Sequence, residues 1–167
     1  MIDKKMAQLN LRKLEFKSLQ DAVDEASRLM QGGYRQVGNW NLAQILGHCS
    51  DWMRFPMDGY PPSKFPLSLI FGMVRVTCGK AMYRKVIREQ GFKPGGPTMP
   101  ATVKSKDTAS DREAFEEFVS VVQRFRKLGD PLHPSPLFGK LTYEEHQQLQ
   151  IVHLQHHLRF LNPVDPG

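Results

Sequence analysis

Imidazole side chains are concentrated near the C-terminal end of the sequence. Three of the six histidines of this 167-residue chain lie within residues 153–157, in the stretch HLQHHLRF. His153 and His157 are four residues apart, so on a helix they would share a face and lie one turn from each other. Imidazole nitrogens bind divalent metal ions at ~2.1 Å, and a pair at this spacing can share one ion. The spacing predicts two ligands of a metal site.

A third ligand has to come from elsewhere in the chain. His48 lies about 40° around a predicted helix from Trp52, at ~100° per residue, and therefore borders an apolar face that packs inward. Helical bundles build metal sites from side chains on facing helices. Three neutral histidines leave one or two positions for water, which is typical of a catalytic site. We predict a divalent metal at His48, His153 and His157, with zinc or nickel favoured over iron or manganese.

Each of these features also has a simpler interpretation. The HxxxH spacing arises by chance in many helices, and a histidine at the border of an apolar face is commonly a hydrogen-bonded core residue. The two features occur together on separate predicted helices. A metal site therefore explains them as well as chance spacing and a core histidine do.

Four further residues are candidates for the surroundings of the site. His156 lies about 60° to one side of His153, where it would face solvent or support a ligand. His146 precedes His153 by two turns, about 10 Å at 1.5 Å per residue, so it cannot share the same ion. We place it at the entrance to the site. Trp52 and Arg159 complete the predicted pocket.

Four amphipathic helices are predicted to position these residues. Three begin with a capping box, in which a serine or threonine precedes an acidic residue by three positions. The fourth, which carries His48, is capped by Asn39 or Asn41. The boxes are Ser18 with Asp21, Ser110 with Glu113, and Thr142 with Glu145. The predicted ends, in chain order, are Gly32-Gly33, Pro56, Gly129 and about Leu161, before Asn162-Pro163.

The middle of the sequence is less regular. Three prolines between residues 61 and 66 are followed by a helical stretch from about Leu67 to Glu89, which Gly72 and Gly79 weaken. The run KPGGPTMPAT at residues 93–102 is a loop by composition. We therefore predict an all-α fold, a four-helix bundle forming a single domain over residues 1–167, with one or two extra helices within about 59–105.

Composition and charge exclude several classes of protein. The formal net charge is +6, but the basic residues are dispersed, which favours a solvated surface over nucleic-acid binding. The longest apolar run, PLSLIFGMVRV, falls short of the ~20 residues of a membrane span. No signal peptide and no CxxC pattern are present, so a cytoplasmic protein is predicted. The mild basic cluster consists of Arg75, Lys80, Arg84, Lys85, Arg88 and Lys93.

Two segments resemble the DinB-like superfamily of bacterial four-helix-bundle proteins, and more closely one uncharacterised branch of it. They are GNWNLAQILGHCSDW at residues 38–52 and PSPLFGKLTYEEHQQLQIVHLQHHLRFL at residues 134–161. The resemblance implies a bundle of the up-down-down-up type. It also implies metal ligands at His48, His153 and His157. The sequence departs from the branch at His146, where a tryptophan is usual.

Proteins similar to this superfamily include metal-dependent transferases and isomerases that use low-molecular-weight thiols such as bacillithiol or mycothiol. The resemblance thus implies a small-molecule substrate and either a thiol transferase or a metal-dependent hydrolase. Arg159 and the basic cluster near Arg84 could attract an anionic thiol or substrate, or could be solvated charges. No catalytic residue is assigned. The alternatives are a non-catalytic metal- or ligand-binding bundle that dimerises through Leu67 to Val76 and, less favoured, a nucleic-acid-binding protein.

Overall fold

The computed structural model describes residues 11–62, 65–92 and 110–164. The predicted loop at residues 93–102 lies outside these ranges. The described residues are mostly helical, which confirms the all-α class, and they contain six helices and two short strands. The helices are α1 Leu19–Gly32, α2 Leu42–Asp58, α3 Leu67–Thr77, α4 Gly79–Arg88, α5 Asp111–Leu128 and α6 Tyr143–Leu158, and the strands are β1 Tyr34–Gln36 and β2 Leu161–Pro163.

The predicted helix starts are confirmed. Ser18, Ser110 and Thr142 each accept a hydrogen bond from the backbone of the acidic residue three positions on, whose side chain accepts in return from the cap backbone. For α2 the cap is Asn41 rather than Asn39, and Gln44 closes its box. These reciprocal bonds satisfy N–H groups that have no partner within the helix.

Pro56 does not end α2, contrary to the sequence prediction. The helix continues to Asp58 and closes at Gly59, whose φ of 103° suits glycine and whose N–H donates to the Phe55 carbonyl at 2.9 Å. Proline removes one N–H from the hydrogen-bond ladder and crowds the carbonyl four residues earlier, and only Met57 and Asp58 follow it in the helix. The Pro56 carbonyl accepts from the His133 N–H at 2.8 Å, which ties this end of α2 to the loop before α6.

Helix α6 ends at Leu158, three residues before the predicted end. The chain then turns into β2, which pairs antiparallel with β1 so that Tyr34 lies opposite Pro163 and Gln36 opposite Leu161. The Val37 N–H donates to the Phe160 carbonyl at 2.9 Å and extends the pairing. Strands of three residues are too short to show an alternation of apolar and polar side chains, so the sequence did not predict them.

The middle segment forms two short helices, α3 and α4, and not one continuous helix. One or two extra helices were predicted here. The break falls at Cys78, and α4 begins at Gly79. A Cβ at Gly79 would lie 2.7 Å from the Leu137 carbonyl oxygen, so only glycine allows this close approach. None of the helices in the described ranges is long and apolar enough to cross a bilayer.

Helix α6 lies between two groups of buried side chains. The larger core joins α1, α2, α5 and one side of α6, and includes Leu46, Phe118, Phe125 and Leu154. A smaller cluster joins α4, the loop before α6 and the other side of α6. Seven consecutive residues of α6, 149–155, are buried, so the helix is covered on all sides and its polar side chains are held in place by packing. The smaller cluster consists of Tyr83, Phe138, Leu141 and Leu149.

Candidate metal centre

The three histidines predicted as ligands lie together in the structure. His48 comes from α2, and His153 and His157 come from successive turns of α6. The Nε2 atom of His153 lies 3.1 Å from Nε2 of His48 and 3.1 Å from Nε2 of His157. The ligand atoms of all three residues lie within 4.8 Å of one another. This cluster could hold a metal ion.

The spacing of the nitrogens fits a shared divalent ion. Two imidazole nitrogens that bind one ion at 2.0–2.1 Å lie about 2.8–3.4 Å apart for bond angles between octahedral and tetrahedral. The two distances of 3.1 Å fall inside this range. The Nε2 atom of His153 carries either one proton or one lone pair. It therefore cannot form ordinary hydrogen bonds with both neighbouring imidazoles at once. Three converging nitrogens are better satisfied by a cation.

Aromatic rings hold the imidazoles in place. The Trp40 ring stacks on His157 with centroids 5.5 Å apart and also contacts His48 at 4.9 Å. The Trp52 ring lies 4.5 Å from His153, and the Phe92 ring lies 5.6 Å from the same imidazole. The Nδ1 atom of His153 is buried without a hydrogen-bond partner in the described part of the chain, so ring packing sets its orientation.

Two of these aromatic residues were not predicted. Trp40 precedes the cap of α2, and Phe92 follows α4 in the segment whose role was unassigned. Trp52 was predicted to belong to the pocket, and it lies against His153. The signal for Trp40 was present in the GNWN segment, two positions before the first residue of α2. No pattern in the sequence indicated Phe92, because its position follows from the packing of α4 against α6.

Burial keeps the imidazoles of His153 and His157 unprotonated. It lowers the pKa of His153 and of His157 well below the ordinary value, and the neighbouring imidazoles lower both pKa values further. A neutral imidazole is the form that binds metal. The adjacent Cys49 is fully buried, and burial raises the pKa of its thiol. Cys49 is therefore a protonated core residue and neither a ligand nor a nucleophile at neutral pH.

The sequence of this chain matches a family model over residues 8–164, which includes both helices that carry the cluster. The family is described as "Protein of unknown function (DUF1569)". The chain belongs to the DUF1569 family. No curated protein and no solved structure matches it. The family is an uncharacterised one, as the sequence predicted.

In this DUF1569 protein His146 does not lie at an entrance, the position that the sequence analysis gave it. Its side chain is 0% exposed. Neither ring nitrogen has a hydrogen-bond partner in the described ranges. Burial lowers the pKa of His146 to about 4, although the carboxylates of Asp130 and Glu145 act in the opposite direction. His146 is therefore a neutral imidazole in the packed interior.

His156, on α6, and Arg159, which follows the last residue of this helix, lie beside the cluster. Arg159 donates to Nδ1 of His156 at 3.2 Å. The His156 ring centroid lies 5.0 Å from that of His157. Burial, followed by the positive charge of Arg159, lowers the pKa of His156 to about 4. Both residues line a cleft of about 660 Å³ in the DUF1569 fold, so His156 faces this cleft as well as the ligand pair.

Proposed function

We propose that this DUF1569 protein binds a divalent metal ion through His48, His153 and His157, and that it is a metal-dependent enzyme acting on a small molecule. Zinc and nickel suit the all-imidazole ligand set best. The observation that carries the proposal is the convergence of three ligand nitrogens from two helices, two of the distances being 3.1 Å. Three protein ligands leave coordination positions for a substrate.

The proposal includes membership of the DinB-like superfamily. In this assignment α1, α2, α5 and α6 form an up-down-down-up bundle, with α3 and α4 inserted between its second and third helices. The contacts support an antiparallel packing of α2 and α6: Trp40, before α2, contacts His157, whereas Trp52, late in α2, contacts His153. The candidate ligands then lie on the second and last bundle helices, in the order that the resemblance implies.

We propose that the reaction is a transfer that uses a low-molecular-weight thiol, with hydrolysis of a small molecule as the second possibility. A divalent cation supplies Lewis acidity, which stabilises a thiolate or ionises water near neutral pH. The chain's own Cys49 is buried and protonated, so the nucleophile would come from solution. The rings of Trp40, Trp52 and Phe92 around the histidines favour polarisable sulfur, which packs well against the edges of aromatic rings.

Metal analysis tests the site. Protein purified without a metal-affinity column should contain one equivalent of metal per chain or take it up from zinc or nickel salts. His48→Ala, His153→Ala and His157→Ala should each lower the bound metal below half an equivalent. The matched control is His133→Ala, which removes an exposed imidazole outside the cluster. Equal metal content in all four variants would contradict the proposal.

A turnover screen tests the reaction. Metal-loaded protein is incubated with electrophiles and with bacillithiol, glutathione or coenzyme A, and loss of free thiol is followed. Thiol-dependent turnover that disappears in His157→Ala supports the transferase. Turnover without thiol supports the hydrolase. Retention of metal with no turnover across the panel would favour the non-catalytic module.

The exposed face of α3 supports the alternative of a dimeric binding module. Leu69 is 66% exposed and Val76 is 81% exposed, which is unusual for large apolar side chains in water. Light scattering coupled to gel filtration should give the mass of two chains, and Leu69→Glu with Met73→Glu should give the mass of one. Leu128→Glu, at an exposed leucine on α5, is the matched control. A single-chain mass for the unmodified protein would exclude the dimer.

We also propose a cytoplasmic location. Cys49 and Cys78 are both free thiols, as is usual in a reducing compartment.

A further inference from the structure

The cleft beside the histidine cluster, called here the Arg159 cleft, has the size of a small-molecule site. Its volume is about 660 Å³, within the range of ~300–1,000 Å³ typical of ligand pockets. It is lined by Arg12, Gln155, His156 and Arg159, together with residues at the end of α4 and the segment before α1. The cleft thus combines two guanidinium groups with an imidazole.

The acidic side chains of the lining do not neutralise Arg159. Glu15 pairs with Lys13 at 2.7 Å, and Glu89 lies 3.9 Å from the ammonium group of Lys85. In the described residues Arg159 has no carboxylate within 4.0 Å, the limit for an ion pair. The other guanidinium of the cleft, Arg12, is paired with Glu25 at 2.6 Å.

The Arg159 guanidinium is also short of hydrogen-bond acceptors. One terminal nitrogen donates to Nδ1 of His156 at 3.2 Å. Its Nε is buried and has no partner in the described part of the chain. A partly desolvated cation without a counter-charge is unfavourable, and a bound oxyanion would remove this cost. The planar fork of a guanidinium matches the oxygens of a carboxylate or phosphate.

The cleft and the histidine cluster share a wall. The His156 ring lies 5.0 Å from the His157 ring. The Phe92 ring contacts His156 at 5.9 Å and His153 at 5.6 Å. Because guanidinium can only donate, Nδ1 of His156 accepts, and this leaves the ring proton on Nε2 as a second donor. The His156 ring, which accepts from Arg159 and lies against His157, therefore stands between a ligand held at Arg159 and the proposed metal site.

We propose that the Arg159 cleft binds the oxyanionic group, carboxylate or phosphate, of a small molecule whose reacting end lies at the three-histidine cluster. The placement of the reacting end rests on the proposed function, whereas the anion site does not require the metal. The substrate or thiol class is therefore an acidic small molecule, and Arg159 is a binding residue for its charged end.

Nuclear magnetic resonance titration tests the anion site directly. Sulfate serves as the tetrahedral probe for phosphate and acetate as the planar probe for carboxylate, and the stronger of the two identifies the anion class. The readouts are the Nε–Hε signal of Arg159 and the backbone amides of Gln155 and His156. All three should shift saturably. Arg159→Gln should weaken binding about tenfold or more, since it removes a charge-assisted bond.

The matched control is Arg112→Gln, which removes the same charge from an exposed position of α5. Affinity should stay within twofold of that of the unmodified protein. Equal losses in the two variants, or shifts that do not saturate in the unmodified protein, would overturn the inference in favour of diffuse attraction. If Arg159→Gln does not fold, as judged by circular dichroism, Arg159→Lys replaces it. Lysine keeps the positive charge but lacks the two parallel N–H groups of the guanidinium, so it should still weaken binding.

Metal content is measured on the same samples, so that the two proposals can fail separately. Saturable sulfate or acetate binding without metal uptake would retain the anion cleft and contradict the metal site. Metal uptake without saturable binding of either anion would retain the metal site and overturn the anion cleft.

Discussion

The Nε2 atoms of His48 and His153 lie 3.1 Å apart, although 105 positions separate the two residues in the chain. An ion at this point would join α2 to α6, and it would bind the folded state alone, because the unfolded chain does not bring the two imidazoles together. Ligand binding of this kind stabilises a protein by about 2.7 kcal/mol when the free ligand is at 100 times its Kd.

The first prediction follows from this link. Zinc or nickel at 100 times its Kd should raise the midpoint of thermal unfolding of the unmodified protein by several degrees, and should leave that of His48→Ala unchanged. Scanning fluorimetry with and without metal measures the shift. His133→Ala should respond as the unmodified protein does, and an equal response of His48→Ala would show that the ion binds elsewhere.

Tryptophan fluorescence should report metal binding. The chain has two tryptophans, and both contact histidines of the cluster: Trp40 lies against His157 and Trp52 against His153. Nickel or cobalt at the cluster should quench both rings, because their open d shells accept excitation energy, whereas zinc has a closed shell. Trp40→Phe and Trp52→Phe should each retain part of a saturable quenching. Undiminished quenching in His157→Ala would argue against the assigned ligands.

His146 should make the protein sensitive to mild acid. Below pH 6.5 the unfolded chain binds a proton at this imidazole, whereas in the folded state burial lowers its pKa to about 4. The folded state therefore loses stability as the pH falls from about 6.5 to about 4. Replacement of His146 by leucine removes this loss, so the variant should gain roughly 2 kcal/mol relative to the unmodified protein between pH 7.5 and pH 5.

Urea unfolding at the two pH values, in the presence of a chelator, measures this difference. His133→Leu is the control, since it removes an exposed imidazole that is solvated in both states. A stability difference between His146→Leu and the unmodified protein that does not change with pH would contradict the assignment of acid sensitivity to this residue.

Gly72 of α3 and Gly79 of α4 should respond in opposite directions to alanine. At Gly79 a Cβ would lie 2.7 Å from the Leu137 carbonyl oxygen, whereas at Gly72 no atom lies within 4 Å of the added Cβ. Gly79→Ala should lower the free energy of unfolding by about 1–3 kcal/mol through overpacking. Gly72→Ala should raise it by about 0.5–1 kcal/mol, because alanine is the better helix former. Chemical denaturation measures both, and equal effects would show that the Gly79 contact is not close.

Sequence patterns predicted much of this structure because caps and amphipathic faces depend on residues that are close together in the chain. The cap at Ser18 needs only Asp21 three residues on, and the juxtaposition of His48 with His153 follows from which helix faces are apolar. Features that depend on distant parts of the chain were missed. Beside the break at Cys78, the Leu137 carbonyl packs against Gly79, a contact across 58 positions that no pattern near the break reveals. Likewise, Phe92 reaches the cluster only because α4 packs against α6.

The enclosure of α6 has a consequence for exchange of its amide hydrogens with solvent. Residues 149–155 are buried without interruption, so no side of this helix can detach without separating it from the main core or from the smaller cluster. Its amides should then exchange only through openings that approach global unfolding in free energy. The backbone that carries His153 and His157 should be among the slowest-exchanging parts of the molecule, with its geometry set before any ligand arrives.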